Sequence, residues 1–133
     1  MIFLDTNVFL RFYLRDDKAK AERCKGLLKS VASGKKRAMT STMVIAEIVW
    51  VLERTYRRPR RDVADFVLSL LAVPHLHLAE KAILGSALTT YVSSKADFID
   101  ACNAATMDAA GIDVIYTYDR HFASMPKVEA REP

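Results

Sequence analysis

Two cysteines, four glycines, four prolines and one tryptophan are spread through 133 residues. So few cysteines, Cys24 and Cys102, exclude a disulfide scaffold. Neither has the CxxC or Cys/His spacing of a structural zinc site or a dithiol redox pair. Each falls in a helical pattern and reads as a small apolar residue, buried or half-buried. The shortage of glycine and proline excludes long flexible linkers and points to helices joined by short connections. A long hydrophobic run is also missing. The longest nearly apolar stretch, Met43 to Leu52, is too short to cross a bilayer and carries Glu47 in its middle. Met1-Ile2-Phe3-Leu4 runs into Asp5 with no basic lead and no cleavage site, so a cytoplasmic chain without signal or membrane span is expected. Charge of one sign does not dominate either: 20 basic residues against 16 acidic ones leave a net +4.

What is present is ordinary globular material, 51% hydrophobic and 27% charged. The length suits a single domain over residues 1–133 with a proper core. The mild basic excess is clustered, in Lys35-Lys36-Arg37 and in Arg54, Arg57, Arg58, Arg60 and Arg61 around Pro59. Such knots suit either solvated loops or the neutralisation of phosphates.

Ile2 to Leu4 is a short apolar run that reads as a buried strand, followed by a helix from Asn7 to Leu14. Lys18 to Ser33 carries Ala21, Cys24, Leu27, Leu28 and Val31 at helical spacing, and Gly34 ends it. Ala38 to Thr40 predicts a brief strand. Ser41 or Thr42 would cap a helix from Met43 to Tyr56, which Pro59 terminates. Val63, Phe66, Val67 and Leu70 mark one face of a helix over Arg61 to Ala72. A strand at His75 to Leu78 follows, then helices at Glu80 to Val92 and Phe98 to Ala110, closed by Gly111. Val114 to Tyr116 and Val128 to Ala130 complete the set as strands. Strands alternating with helices imply an α/β fold with a parallel sheet covered on both faces. Ligand sites in such folds lie beyond the carboxyl ends of the strands, where Asp5 and Asp119 fall.

Those two acids belong to a group that composition does not explain. Glu47 lies in a helix apolar almost all round, where an unpaired buried carboxylate would cost several kcal/mol. It is therefore expected to have a cation partner, a raised pKa or an adjoining polar cavity. Asp97 fits a helix N-cap, with Asp100 in the first turn beyond it. Asp5 could cap its own helix and Asp119 could be a turn residue. Taken together, three elements are expected to deliver acids to the same end of one sheet, and a fourth acid comes from a helix expected to be buried. Carboxylates clustered without a cation repel one another. A hard divalent ion, Mg²⁺ or Mn²⁺, removes that conflict and activates water for attack on a phosphodiester.

Four segments in order carry a resemblance: Leu4-Asp5-Thr6-Asn7, Ser41-Thr42-Met43-Val44-Ile45-Ala46-Glu47, Asp97-Phe98-Ile99-Asp100-Ala101-Cys102-Asn103-Ala104-Ala105 and Thr117-Tyr118-Asp119-Arg120-His121-Phe122. They resemble the PIN-domain family, and within it the VapC-type toxins, over about residues 1 to 125. The resemblance implies a three-layer α/β/α fold with a central parallel sheet, a Mg²⁺ or Mn²⁺ site, and endonucleolytic cleavage of RNA. It matches Asp5, Glu47, Asp100 and Asp119 to the family's acidic quartet, with Thr6, Asn7 and Thr117 in support. Asp5, Asp100 and Asp119 would hold the metal, with Asp97 either a further ligand or only the cap, and Glu47 would orient or deprotonate the attacking water. Arg120, Arg11 and Arg15 are the arginines expected at the RNA backbone, whereas His121 reads as a surface residue. A homodimer and a cognate antitoxin are implied by the same likeness.

Two other classes compete. A catalytically inactive PIN fold would bind nucleic acid without cutting it. A phosphatase or phosphoacceptor domain would also place an Asp after an early strand. A dehalogenase-type phosphatase, however, wants a second Asp where Asn7 stands, and a receiver domain wants an acidic pair after its first strand. Neither is in place.

Overall fold

A computed structural model describes residues 1–133. The chain forms two compact units, Met1–Glu80 and Lys81–Pro133.

The first unit is built on β1 (Ile2–Phe3), β2 (Ala38–Met39) and β3 (Leu76–His77), in spatial order β1-β2-β3. Both pairings are parallel, Ile2 beside Ala38 and Ala38 beside Leu76. Between β1 and β2 run α1 (Thr6–Leu14) and α2 (Lys18–Ala32). The carboxylate of Asp17 caps α2 by accepting the Lys20 amide at 3.0 Å. That hydrogen bond, with nearby Lys20, Arg11 and Arg23, holds the Asp17 carboxyl below its ordinary pKa. The helix stops where Gly34 takes a φ of 77°. A Cβ there would lie 3.0 Å from the His75 ring, so the position needs glycine for space as well as for backbone freedom.

Between β2 and β3 lie α3 (Thr42–Trp50) and α4 (Arg60–Leu71). Ser41, one of the two caps expected, accepts the Val44 amide at 3.2 Å. The predicted helix to Tyr56 changes character after Trp50, continuing as a π-helical turn over Val51–Thr55. The Tyr56 amide reaches back to the Val51 carbonyl and the Arg58 amide to that of Leu52, before Pro59 ends the run. Val63, Phe66, Val67 and Leu70 are buried along α4, the face that the sequence spacing predicts. Phe9, Val31, Ile45, Ile48, Val49 and Leu52 are buried with them.

The second unit contains α5 (Lys81–Ser93), α6 (Phe98–Ala110), β4 (Val114–Tyr116) and β5 (Glu129–Arg131), with a 3-10 turn at Arg120–Ser124. The small residues along α6 allow close approach to α5, and Tyr91 meets Phe98 edge to face at 5.8 Å. Gly111 closes α6 with a φ of 69°. β4 and β5 pair in parallel, Ile115 beside Ala130. Beneath them Phe122 and Met125 are buried with Ala96, packed by Ile115, Val128 and Ala130. Every strand pairing is parallel, which is the α/β class expected. Element limits differ from the sequence reading by one or two residues, the usual fraying of helix and strand ends. No helix is long and apolar enough to cross a membrane.

Candidate functional site

Asp5 stands one residue beyond Leu4, whose amide donates to the Met39 carbonyl at 2.9 Å. The buried hydroxyl of Thr40 donates to the Leu4 carbonyl at 2.9 Å, so β2 anchors the backbone just before Asp5 from two sides. Thr40 was not singled out from the sequence. Its signal was a threonine closing a strand, too common a pattern to read. Asp5 occupies the N-cap position of α1 yet makes no side-chain capping bond, so the simple capping role open to it in the sequence is not used. Its carboxylate is exposed.

Glu47 requires a correction. The apolar neighbours in sequence suggested a buried carboxylate, but α3 leaves one row in solvent, and Met43, Glu47 and Trp50 all lie on it, exposed. Helical spacing decides this: the apolar residues fill the other faces, and Glu47 falls at the one position where desolvation is slight. The cation partner expected for a buried acid is therefore unnecessary. In its place the buried Thr6 hydroxyl donates to Glu47 Oε2, joining the first turn of α1 to α3. Replacing Thr6→Val keeps the volume and deletes the donor. We expect a loss of about 1.5 kcal/mol, the lower end for a hydrogen bond to a charged group, because Glu47 stays in water. Urea denaturation of Thr6→Val beside Thr6→Ser, which should lose little, checks it.

In the second unit Asp97, Asp100 and Asp119 take distinct parts. Asp97 caps α6, accepting the Asp100 amide at 2.8 Å. Asp100 is half-buried in the first turn. Asp119 follows β4 on a turn fixed by Thr117, whose hydroxyl accepts the Asp119 amide at 2.9 Å while its own amide is held by the Arg131 carbonyl. The carboxylates of Asp100 and Asp119 and the ring of His121 offer ligand atoms within 4.8 Å of one another. His121, read from the sequence as a surface residue, is exposed but not idle. Its amide and its Nδ1 both meet Asp119 Oδ1, at 2.9 and 2.8 Å. A histidine two residues past an acid carries no spacing signal by itself, so only the 3-10 turn reveals the pair.

The electrostatics divide the two acids. Partial burial, then the charges of Asp97 and Asp119, push the Asp100 carboxyl above its ordinary range, and His121 only partly offsets them. Asp119 is held below its ordinary value, chiefly by the His121 amide. The ligand oxygens of Asp100 and Asp119 lie within 4.8 Å of each other, close enough for the Asp119 charge to help raise Asp100. No lysine or arginine compensates the pair. Two carboxylates gathered this closely are the donor set of a hard divalent cation, and one imidazole is compatible with Mn²⁺ as well. The residues present therefore fit such an ion.

The remaining expected residues are scattered. Asn7 and Arg11 line a shallow groove between α1 and α2 with Val8, Lys20, Arg23 and Cys24. Arg11 is engaged by Asp16, its Nη1 3.0 Å from the carboxylate. Arg15 is exposed at the end of α1 in a left-handed conformation, φ 54°. Arg120 is exposed at the start of the 3-10 turn, beside Thr117 and Asp119 in a hollow that Arg131 also lines. Cys24 and Cys102 are both half-buried.

The family model of the PIN domain matches residues 2–128. The VapC ribonuclease of Aquifex aeolicus (strain VF5) is 24% identical over 125 residues, 94% of this chain and 92% of that protein. Among solved structures, Mycobacterium tuberculosis VapC20, described as a sarcin-ricin loop cleaving toxin, is 24% identical. The match covers 96% of this chain and 98% of that one, with a TM-score of 0.42.

Proposed function

The chain belongs to the PIN domain family, and from that premise we propose that it is a metal-dependent endoribonuclease, the toxin of a toxin–antitoxin pair. The observation that carries the reading is the cluster of Asp100, Asp119 and His121, whose ligand atoms lie within 4.8 Å of one another with no lysine or arginine paired to the acids. The similarity to a protein named VapC ribonuclease supports RNA as the substrate. The family match runs through both units, which supports treating residues 1–133 as one PIN-like domain.

We assign Asp5, Glu47, Asp100 and Asp119 to catalysis by their likeness to the family's acidic quartet. Asp100 and Asp119, with Asp5, would hold Mg²⁺ or Mn²⁺. When bound, such an ion polarises a phosphoryl oxygen and lowers the pKa of water. The protein's own groups do the rest. His121 and Thr117 fix the orientation of Asp119. Thr6 holds Glu47 Oε2 in place. Glu47 would accept the proton of the water as its oxygen bonds to phosphorus and the ester P–O bond breaks, the departing ribose oxygen taking a proton from solvent. Asn7 supplies an amide for a phosphate oxygen. Arg120, Arg15 and Arg11 contact the RNA backbone, Arg11 only after release from Asp16. A homodimer, a cognate antitoxin that covers the acids, and action in the cytoplasm complete the reading by the same likeness.

Incubating the folded, antitoxin-free chain with cellular RNA in Mg²⁺, Mn²⁺ or EDTA, and sequencing new 5′ ends, tests it. Discrete cuts that require the metal are expected. No cutting in either metal would overturn the nuclease and favour a binding module.

A further inference from the structure

The exposed row on α3 does not stop at Glu47. Met43, Glu47, Trp50 and Arg54 succeed one another at helical spacing, and all four are exposed. Trp50, the one tryptophan in the chain, leaves 62% of its surface in solvent. Beyond the π-helical turn the row opens into the arginine knot. Arg54, Arg57, Arg58 and Arg61 are exposed and none is paired to a carboxylate, whereas Arg60 is bonded to Glu53. The guanidinium of Arg58 lies 6.0 Å from the centre of the Tyr13 ring.

This cluster runs against its local setting. Arg60 and Arg61 occupy the first turn of α4, the end where the helix dipole favours acids. Arg57 holds a φ of 50°, a region L residues seldom enter. Adjacent guanidiniums repel one another until an anion neutralises them. Trp50 and these arginines follow one another along the exposed end of α3 and into α4, and an aromatic followed by arginines without carboxylate partners is the combination that binds single strands: bases stack on the ring and phosphates meet the cations. The helical rise puts Arg54 about 10 Å along the axis from Glu47, roughly three nucleotides of a stacked strand.

We propose that Trp50 and Arg54, Arg57, Arg58 and Arg61 form a track for single-stranded RNA, with one unpaired base stacked on the indole and the phosphates beyond it held by the arginines. The proposal rests on the RNA reading above and adds where the strand runs from Glu47. It differs from the expectation for Arg11, which Asp16 already neutralises.

The single tryptophan makes the test direct. The whole chain is titrated in EDTA, where metal-dependent cutting cannot run, with a labelled single-stranded 12-nucleotide RNA at several KCl concentrations. Trp50 emission and RNA anisotropy are read together. Quenching of Trp50 is expected with the single strand and not with the same sequence as a duplex. The Arg57→Ala/Arg58→Ala/Arg61→Ala variant should lower the log–log salt slope by about two, at ~0.7 per phosphate. Trp50→Ala should weaken binding about tenfold and Trp50→Phe much less. Lys35→Ala/Lys36→Ala, which removes charge where no tryptophan adjoins, should leave the quenching in place. Circular dichroism confirms that each variant is folded. RNA binding without quenching, an unchanged slope in the arginine variant, or emission that follows protein concentration alone would overturn the track. Quenching by a chain that cuts no RNA in Mg²⁺ or Mn²⁺ would overturn the nuclease and leave the track standing.

Discussion

Asp100→Asn and Asp119→Asn are each expected to reduce the proposed RNA cleavage by more than about a hundredfold, while Asp97→Asn should retain activity within a few-fold of the parent. Losing an outer-shell partner of a metal ligand typically removes about 10- to 100-fold, and a ligand itself should exceed that. The contrast within α6 is the informative part. Asp97 and Asp100 are both acids at one helix start, and the sequence left the choice of ligand open. The Asp97 carboxylate already accepts the Asp100 amide as a cap, and asparagine caps a helix as well as aspartate does. The Asp100 carboxylate instead meets Asp119. Single-turnover cleavage at saturating Mn²⁺, on variants matched for folding, separates them. Equal losses in Asp97→Asn and Asp100→Asn would make Asp97 a ligand and remove its assignment as a cap alone. His121→Ala should fall between, because it loosens Asp119 without removing an oxygen from the set.

The fold was largely legible because its punctuation is strong. Gly34 and Gly111, both at positive φ, and Pro59 mark three helix ends with little competition. The period along α4 is clean enough to give its buried face. The π-helical turn after Trp50 was not legible, since Val51–Thr55 has the composition of ordinary helix and only the backbone pairing of Tyr56 with Val51 distinguishes it. For the site, each acid's position relative to a strand or helix end could be read, but its surroundings could not. Glu47 misled because counting apolar neighbours in sequence does not say which side of the helix they fill. His121 and Thr40 were missed for a related reason. Their partners, Asp119 and the Leu4 carbonyl, are set by a 3-10 turn and by strand pairing, not by spacing.

Metal ions should stabilise the protein, and by an amount that depends on pH. In the metal-free chain Asp100 keeps its proton to a higher pH than in the unfolded chain, through burial and the neighbouring Asp97 and Asp119 charges. Over the window from the ordinary carboxylate value of 3.8 up to that raised value, the folded state binds more protons than the unfolded one. Stability therefore falls as pH rises through that window. Asp119 acts in the opposite sense and in a lower window. Its depressed pKa gives stability that is present above 3.8 and lost as pH falls through the folded value. A divalent cation competes with the proton on Asp100, so its affinity rises with pH over the Asp100 window. At about 100 times its Kd the ion should add ~2.7 kcal/mol, a rise in Tm of roughly 5–15 °C for a chain of this size. Differential scanning fluorimetry with Mg²⁺, Mn²⁺ or EDTA between pH 4 and pH 8 measures both effects. Asp100→Asn should flatten the metal-free decline with pH and abolish most of the metal-induced rise. A Tm unmoved by either metal at pH 8 would show that the Asp100–Asp119 pair holds no divalent ion, and the catalytic reading would lose the observation on which it stands.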